Sequence, residues 1–182
     1  LYDESLPHIR VASLPNMAER TVTLSSLGKT FSFTGWKIGW AVAPPNLSKG
    51  VRAAHQFLTY AVSTPAQHAA AAALRDGESS IADLRTHYQQ MRDYLVGALT
   101  RCGLRVHNPA GTYVIMADHS PLGRGSHVDF CRFRTAEAKV AAIPPSAFYA
   151  NPAHGHDLVR FAFCKKRQTM EEAVRRLEAA LA

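Results

Sequence analysis

Ser26-Leu27-Gly28-Lys29-Thr30-Phe31-Ser32-Phe33-Thr34-Gly35-Trp36-Lys37-Ile38-Gly39-Trp40 is the stretch on which the reading of this chain turns. It runs on from Thr21-Val22-Thr23-Leu24, a short β-branched run that predicts a strand. Its middle is rich in Ser, Thr and Gly and predicts a loop. Ile38 to Ala43 reads as a second, buried strand, ended by Pro44-Pro45. Lys29 therefore stands just beyond a strand end, preceded by Gly28, with hydroxyls at Ser25, Ser26 and Thr30. A lysine so placed is accessible to a ligand, and its amine is a nucleophile once its proton is gone. The loop carries Gly35 and can fold back, bringing Ser26 and Lys37 to one locus. A hydroxyl and an ammonium converging there would hold a phosphate dianion. Spacing alone fits a surface lysine in a flexible loop better, because reactive lysines are uncommon.

Working outward, Val11 to Arg20 is a connecting stretch containing Pro15. Beyond Pro45, Ser48 is placed to cap a helix over Val51 to Tyr60. Thr64-Pro65-Ala66-Gln67 has the form of a capping box and opens a helix ending near Gly77. Ile81, Leu84, Tyr88, Met91, Leu95, Ala98 and Cys102 recur at spacings of three and four, with Gly103 as the stop. A helix that long in a chain of 182 residues reads as a bridge between domains. Leu104–His107 and Thr112–Ala117 then predict a hairpin around Pro109-Ala110-Gly111. A helix over Val128–Ala138, a short strand Val140–Ile143 before Pro144-Pro145, and a strand Leu158–Phe163 follow. Thr169-Met170-Glu171-Glu172, a second capping-box pattern, opens a final helix with Met170, Ala173, Val174, Leu177 and Leu181 on one face. In the strand before it, Val159, Phe161 and Phe163 point one way and Arg160, Ala162 and Cys164 the other. An arginine there needs a carboxylate partner, and the pattern alone does not choose between an internal and an external one.

Composition bounds the classes. Apolar residues make up 47% and charged residues 19%, which excludes a disordered chain. The most apolar stretch, Ala69–Leu74, stops at Arg75-Asp76, so no membrane span is expected. Asp3 and Glu4 near the start, with no basic run, predict no signal peptide. Three widely spaced cysteines (Cys102, Cys131, Cys164) suit a reducing cytoplasm. The net charge of +7 is scattered, and its densest cluster, Lys165-Lys166-Arg167 with Arg175 and Arg176, reads as a solvated helix face and not a nucleic-acid site. His154-Gly155-His156-Asp157 lacks a second ligand pair at metal spacing, so no metal is expected. No G-x-S-x-G nucleophile elbow occurs. Trp36 and Trp40 read as core or interface residues.

The Ser26–Trp40 string closely resembles the cofactor-lysine segment of class I/II aminotransferases, pyridoxal-phosphate enzymes of fold type I. The branch it is most similar to is that of the kynurenine, glutamine, methionine and N-succinyldiaminopimelate aminotransferases. His55-Gln56-Phe57-Leu58-Thr59-Tyr60, Gly111-Thr112-Tyr113, Ala141-Ala142-Ile143-Pro144 and Val159-Arg160-Phe161-Ala162-Phe163-Cys164-Lys165 resemble further segments of that family in the same order. The resemblance implies an α/β chain forming the C-terminal part of such an enzyme. Residues 1–75 would belong to the cofactor-binding large domain, 76–103 to an interdomain helix, and 104–182 to the small α+β C-terminal domain. It implies a Schiff base between Lys29 and pyridoxal 5'-phosphate, phosphate anchors at Ser26 and Lys37, and an Arg160 that holds the substrate's α-carboxylate. Many relatives have arginine at the Lys37 position; lysine keeps the charge and loses the bidentate fork.

The implied reaction exchanges an amino group between an amino acid and a 2-oxo acid in a cytoplasmic homodimer, with no nucleic-acid or membrane partner. A carbon–sulfur β-lyase on the same fold and a non-catalytic remnant that only binds a partner are the alternatives. The family's Asp for the pyridine nitrogen and Tyr for the ring hydroxyl fall before Leu1. The resemblance therefore implies a piece that folds poorly and turns over little alone, with exposed edges on the strands at 21–24 and 38–43. Arg134, Lys139 and Pro145 depart from the leucine, glycine and smaller or aliphatic residue usual in the family.

Overall fold

The computed structural model of the chain describes Tyr2 and residues 6–123 and 125–181. Two units divide it: Pro7–Leu84, and Arg85 onward together with Tyr2 and Leu6. The division falls inside one long helix.

In the first unit, β1 (Thr23–Ser26) pairs antiparallel with β2 (Gly39–Val42), in a register that sets Thr23 opposite Val42 and Ser26 opposite Gly39. Among the described residues no third strand joins them, so each keeps one open edge. Both strands are largely exposed, which corrects the buried strand expected over Ile38–Ala43. A short apolar run is buried when neighbours cover it, and here β1 alone pairs with β2. The core of this unit is small: Leu27, Ile38, Ala66 and Ala70, with Phe31, Phe33, Trp40 and Val62 packed on it.

The helix α1 (Pro45–Leu58) starts earlier than expected, on a proline suited to the first turn. Ser48 lies inside that first turn and donates its hydroxyl to the Ala43 carbonyl. No residue of α1 is buried, and Phe57, Leu58 and the following Tyr60 are each more than 80% exposed (85%, 84% and 82%). The next helix, α2 (Thr64–Asp76), has no side-chain cap; Gln67 reaches back to donate to the Val62 carbonyl. At Gly77 the chain passes into α3 (Glu78–Arg101). A Cβ on Gly77 would stand 2.3 Å from the Ala73 carbonyl and 2.5 Å from the Phe31 ring, so the junction admits only glycine.

In the second unit, β3 (Arg105–His107), β4 (Val114–Asp118) and β5 (Leu158–Ala162) form an antiparallel sheet in that order. One side packs on the C-terminal half of α3, on α4 (His127–Ala136) and on α5 (Arg167–Leu181), around Leu95, Leu99, Ile115, Phe130, Phe161 and Leu177. The alternation expected in β5 holds: Val159, Phe161 and Phe163 are buried, while Arg160 is half-buried and Ala162 exposed. Ser126 caps α4 by accepting the Asp129 amide at 3.2 Å. The second capping-box pattern does not mark a boundary, since α5 begins two residues before Thr169.

The strand expected over Val140–Ile143 is absent; Ile143 alone bridges to Arg160. Lys139, with φ +54°, turns the chain just before it, and Pro144-Pro145 remove two donors just after. Glycine would take the Lys139 conformation without steric cost. Arg134 is fully buried, its guanidinium 5.3 Å from the centre of the Phe130 ring and 5.4 Å from that of Phe161. Tyr2 joins this core: its amide donates to the Ala110 carbonyl, its hydroxyl to the Thr112 carbonyl, and burial pushes its phenol up to about 12. Among the described residues no helix is long and apolar enough to cross a membrane.

Two predictions follow from this uneven packing. Trp36 and Trp40, the chain's two tryptophans, both lie in the weakly packed first unit. Tryptophan emission of the 182-residue chain should therefore report unfolding at lower urea than far-ultraviolet dichroism. Coincident transitions would show the units to be equally stable. In the second unit, burial pushes the Asp118 carboxyl up, but Ser120, Arg105 and His119 outweigh it and hold it below the usual range. The carboxylate accepts the Ser120 amide at 2.8 Å and Arg105 at 3.0 Å. A lowered folded value means stability that is present above about pH 4 and lost as pH falls through the folded value. Asp118→Asn should cost about 1–2 kcal/mol in urea unfolding at neutral pH. The deficit should shrink below about pH 4.

Candidate cofactor site

The site begins with the β1–β2 pair. Its closing residues, Ser26 and Gly39, face each other, and a Cβ on Gly39 would stand 2.6 Å from the Ser25 carbonyl oxygen. Only glycine lets the strands approach this closely. The connecting loop then wraps around Leu27, which has no exposed surface. The Leu27 amide donates to the Ile38 carbonyl at 3.4 Å, and its own carbonyl accepts from Phe31 and Phe33. The Ser26 hydroxyl accepts the Gly28 amide at 3.4 Å, and the Thr34 hydroxyl donates to the Gly28 carbonyl. Phe33 and Trp36 stack, with centroids 4.8 Å apart and planes at 16°. Lys37 follows the turn Thr34–Trp36 in a left-handed conformation, φ +52°. Such backbone costs roughly 1–2 kcal/mol, which the surrounding loop bonds and packing must offset.

The outcome is an open cavity of about 400 Å³ lined by Ser26, Gly28, Lys29, Phe33, Thr34, Lys37, Ile38 and Gly39. The loop does fold back as its composition allows, and Ser26, Lys29 and Lys37 line one cavity. Its wall offers two ammonium groups and two hydroxyls, with no carboxylate among the described lining residues. That set attracts an anion, and a primary amine is the side chain that condenses with an aldehyde. Thr34 and Phe33 are lining residues that the reading of the sequence did not single out. The hydroxyl-rich string marks a loop, but not which hydroxyl turns inward.

Arg160 lies in the second unit, opposite Met116 in β4 and bridged on its other side to Ile143. Its guanidinium stands 4.9 Å from the centre of the Phe148 ring. Among the described residues no carboxylate lies within ion-pair distance of it. Of the two partners the strand pattern left open, no internal one is found among the described residues.

The family profile described as aminotransferase class I and II matches residues 3–177. The chain belongs to this family. It is 45% identical over 179 residues to a probable N-succinyldiaminopimelate aminotransferase of Mycobacterium tuberculosis, covering 93% of this chain and 45% of that protein. It is 43% identical over 170 residues to the methionine aminotransferase of Escherichia coli, covering 93% of this chain and 44% of the relative. The solved structure of the N-succinyldiaminopimelate aminotransferase from M. tuberculosis superimposes with a TM-score of 0.90, over 98% of this chain and 46% of the other. The fold is thus that of part of a fold type I aminotransferase, and the chain spans about half the length of the relatives it matches.

In this aminotransferase chain the close approach at Gly39 can be tested against a control. Gly39→Ala should speed hydrogen exchange at the Leu27 amide by at least about tenfold. Gly35→Ala, whose Cβ would meet nothing within 4 Å, should leave it unchanged. Equal rates in both variants would show that the pairing does not need a bare backbone at Gly39.

Proposed function

We propose that this chain is part of a pyridoxal-phosphate-dependent aminotransferase that moves an amino group between an amino acid and a 2-oxo acid. The observation that carries the reading is the meeting of Ser26, Lys29 and Lys37 on one cavity, in a chain of the class I and II aminotransferases. The donor set suits the cofactor: Lys29 would bind its aldehyde carbon, and Ser26 and Lys37 would hold its phosphate. When bound, pyridoxal phosphate supplies the electron sink that makes the substrate's Cα proton acidic. The chain's own residues do the rest. Lys29 Nζ would take the proton from Cα and deliver it to the cofactor's C4′, as a general base and then a general acid. Lys37 contributes a point charge toward the phosphate, without the planar fork of an arginine. Arg160, with no carboxylate partner among the described residues, would receive the substrate's α-carboxylate through two parallel N–H bonds.

The same reading makes the whole protein a cytoplasmic homodimer acting on amino and 2-oxo acids. The exposed Phe57, Leu58 and Tyr60 at the end of α1 are a surface that the rest of such an assembly would cover.

Amino-transfer assays on the whole protein test the reading. Lys29→Ala, at unchanged thermal midpoint, should lower turnover by about a thousandfold. Turnover kept within a few-fold would reject Lys29 as the cofactor lysine. Release of pyruvate, ammonia and a thiol, in place of a new amino acid and oxo acid, would mean β-elimination instead.

A further inference from the structure

We propose that Phe148 is a positioning residue: it holds the Arg160 guanidinium by its face, so that its N–H edge is presented to the substrate carboxylate. The inference rests on the reading of Arg160 given above and adds to it the group that orients it.

The Arg160 side chain ends over one aromatic ring, that of Phe148, at 4.9 Å. Phe148 is 67% exposed, an unusual state for a phenylalanine. Burial therefore does not account for where its ring sits. A planar guanidinium attracts an aromatic ring over its face and a carboxylate along its edge, and the two do not compete. With no carboxylate among the described residues in range, the ring takes the place of a counter-ion that would block the edge.

The backbone around Phe148 is built to keep it there. Ile143 and Arg160 exchange two backbone hydrogen bonds of 3.0 Å, so the segment carrying Phe148 starts at the arginine itself. Pro144 and the buried Pro145 fix φ through the start of the turn Pro145–Phe148. Ser146, in that turn, shares a hydrogen bond of 2.7 Å with the ring Nε2 of buried His127 in α4. Gly155 presses on the same turn, since a Cβ there would stand 2.9 Å from the Ser146 amide nitrogen and Cα. The first half of the turn is thus held by groups other than the Phe148 ring. The ring is placed over the guanidinium by the backbone, and the arginine finds it there. A long side chain restrained before binding gives up less freedom when the carboxylate arrives.

The test uses the whole cofactor-loaded protein, with L-methionine, L-phenylalanine and L-leucine as amino donors and 2-oxoglutarate as acceptor. Calorimetric titration with 3-phenylpropionate, a carboxylate with no amino group to transfer, gives a second readout. Phe148→Ala should raise KM for every donor that reacts by the same factor of about ten, and the dissociation constant of 3-phenylpropionate likewise. The turnover number at saturation should change far less. Phe148→Tyr, which keeps the ring, should restore both values. In an Arg160→Lys background, which has no planar face, Phe148→Ala should add little. An undiminished effect in that background, or one that differs between donors, would show that Phe148 acts on the substrate side chain and would overturn the proposal. If Arg160→Lys itself leaves KM and the 3-phenylpropionate affinity unchanged, the carboxylate role of Arg160 fails, and the positioning role with it. An unchanged thermal midpoint of Phe148→Ala separates each of these from misfolding.

Discussion

The pairing of Ser26 with Gly39 is the constraint on which the candidate site depends. It brings β1 and β2 to a separation that any side chain at position 39 would prevent. That contact closes the loop between them, and the closed loop sets Lys29 and Lys37 on one cavity with Ser26. Leu27 pins the interior of the loop, because an apolar side chain with no exposed surface and a carbonyl accepting two amides leaves it few other ways to fold. The left-handed backbone at Lys37 is the strained end of this arrangement.

The two units carry different loads. The second has a continuous apolar core shared by a three-stranded sheet and three helical faces, and it holds Arg160 on a strand paired on both sides. The first has four buried apolar residues, an open two-stranded sheet and a helix with no buried residue. Roughly 25 cal/mol per Å² of apolar surface is gained on burial, so a core this small stabilises little. The chain spans about half the length of its relatives, and the apolar side chains left in water lie mainly in this unit.

Local chemistry was legible in the sequence, and long-range closure was not. The helix α3 could be read from its three-and-four spacing because that period is a property of the segment alone. The facing of Val159 and Phe161 against Arg160 followed from strand alternation in the same way. The first capping-box pattern marked where α2 opens, although no side-chain cap bond forms there, while the second missed the boundary, since α5 begins at Arg167. The strand expected at Val140–Ile143 shrank to one bridge, since the backbone turn at Lys139 and two prolines cut it at both ends. Tyr2, Thr34 and Phe148 could not be picked out, because each owes its role to a partner distant in the chain or to the way one loop closes. The site residues came from the resemblance of a fifteen-residue string, and the fold adds that three of them line one cavity.

The central claim is that Lys29, and not its neighbour across the cavity, is the cofactor lysine. Borohydride reduction of the whole protein with pyridoxal phosphate, followed by digestion and peptide mass mapping, tests it most directly. A single reduced adduct on the peptide at Lys29 is the predicted result. An adduct on Lys37 or elsewhere, with Lys29 unmodified, would contradict it.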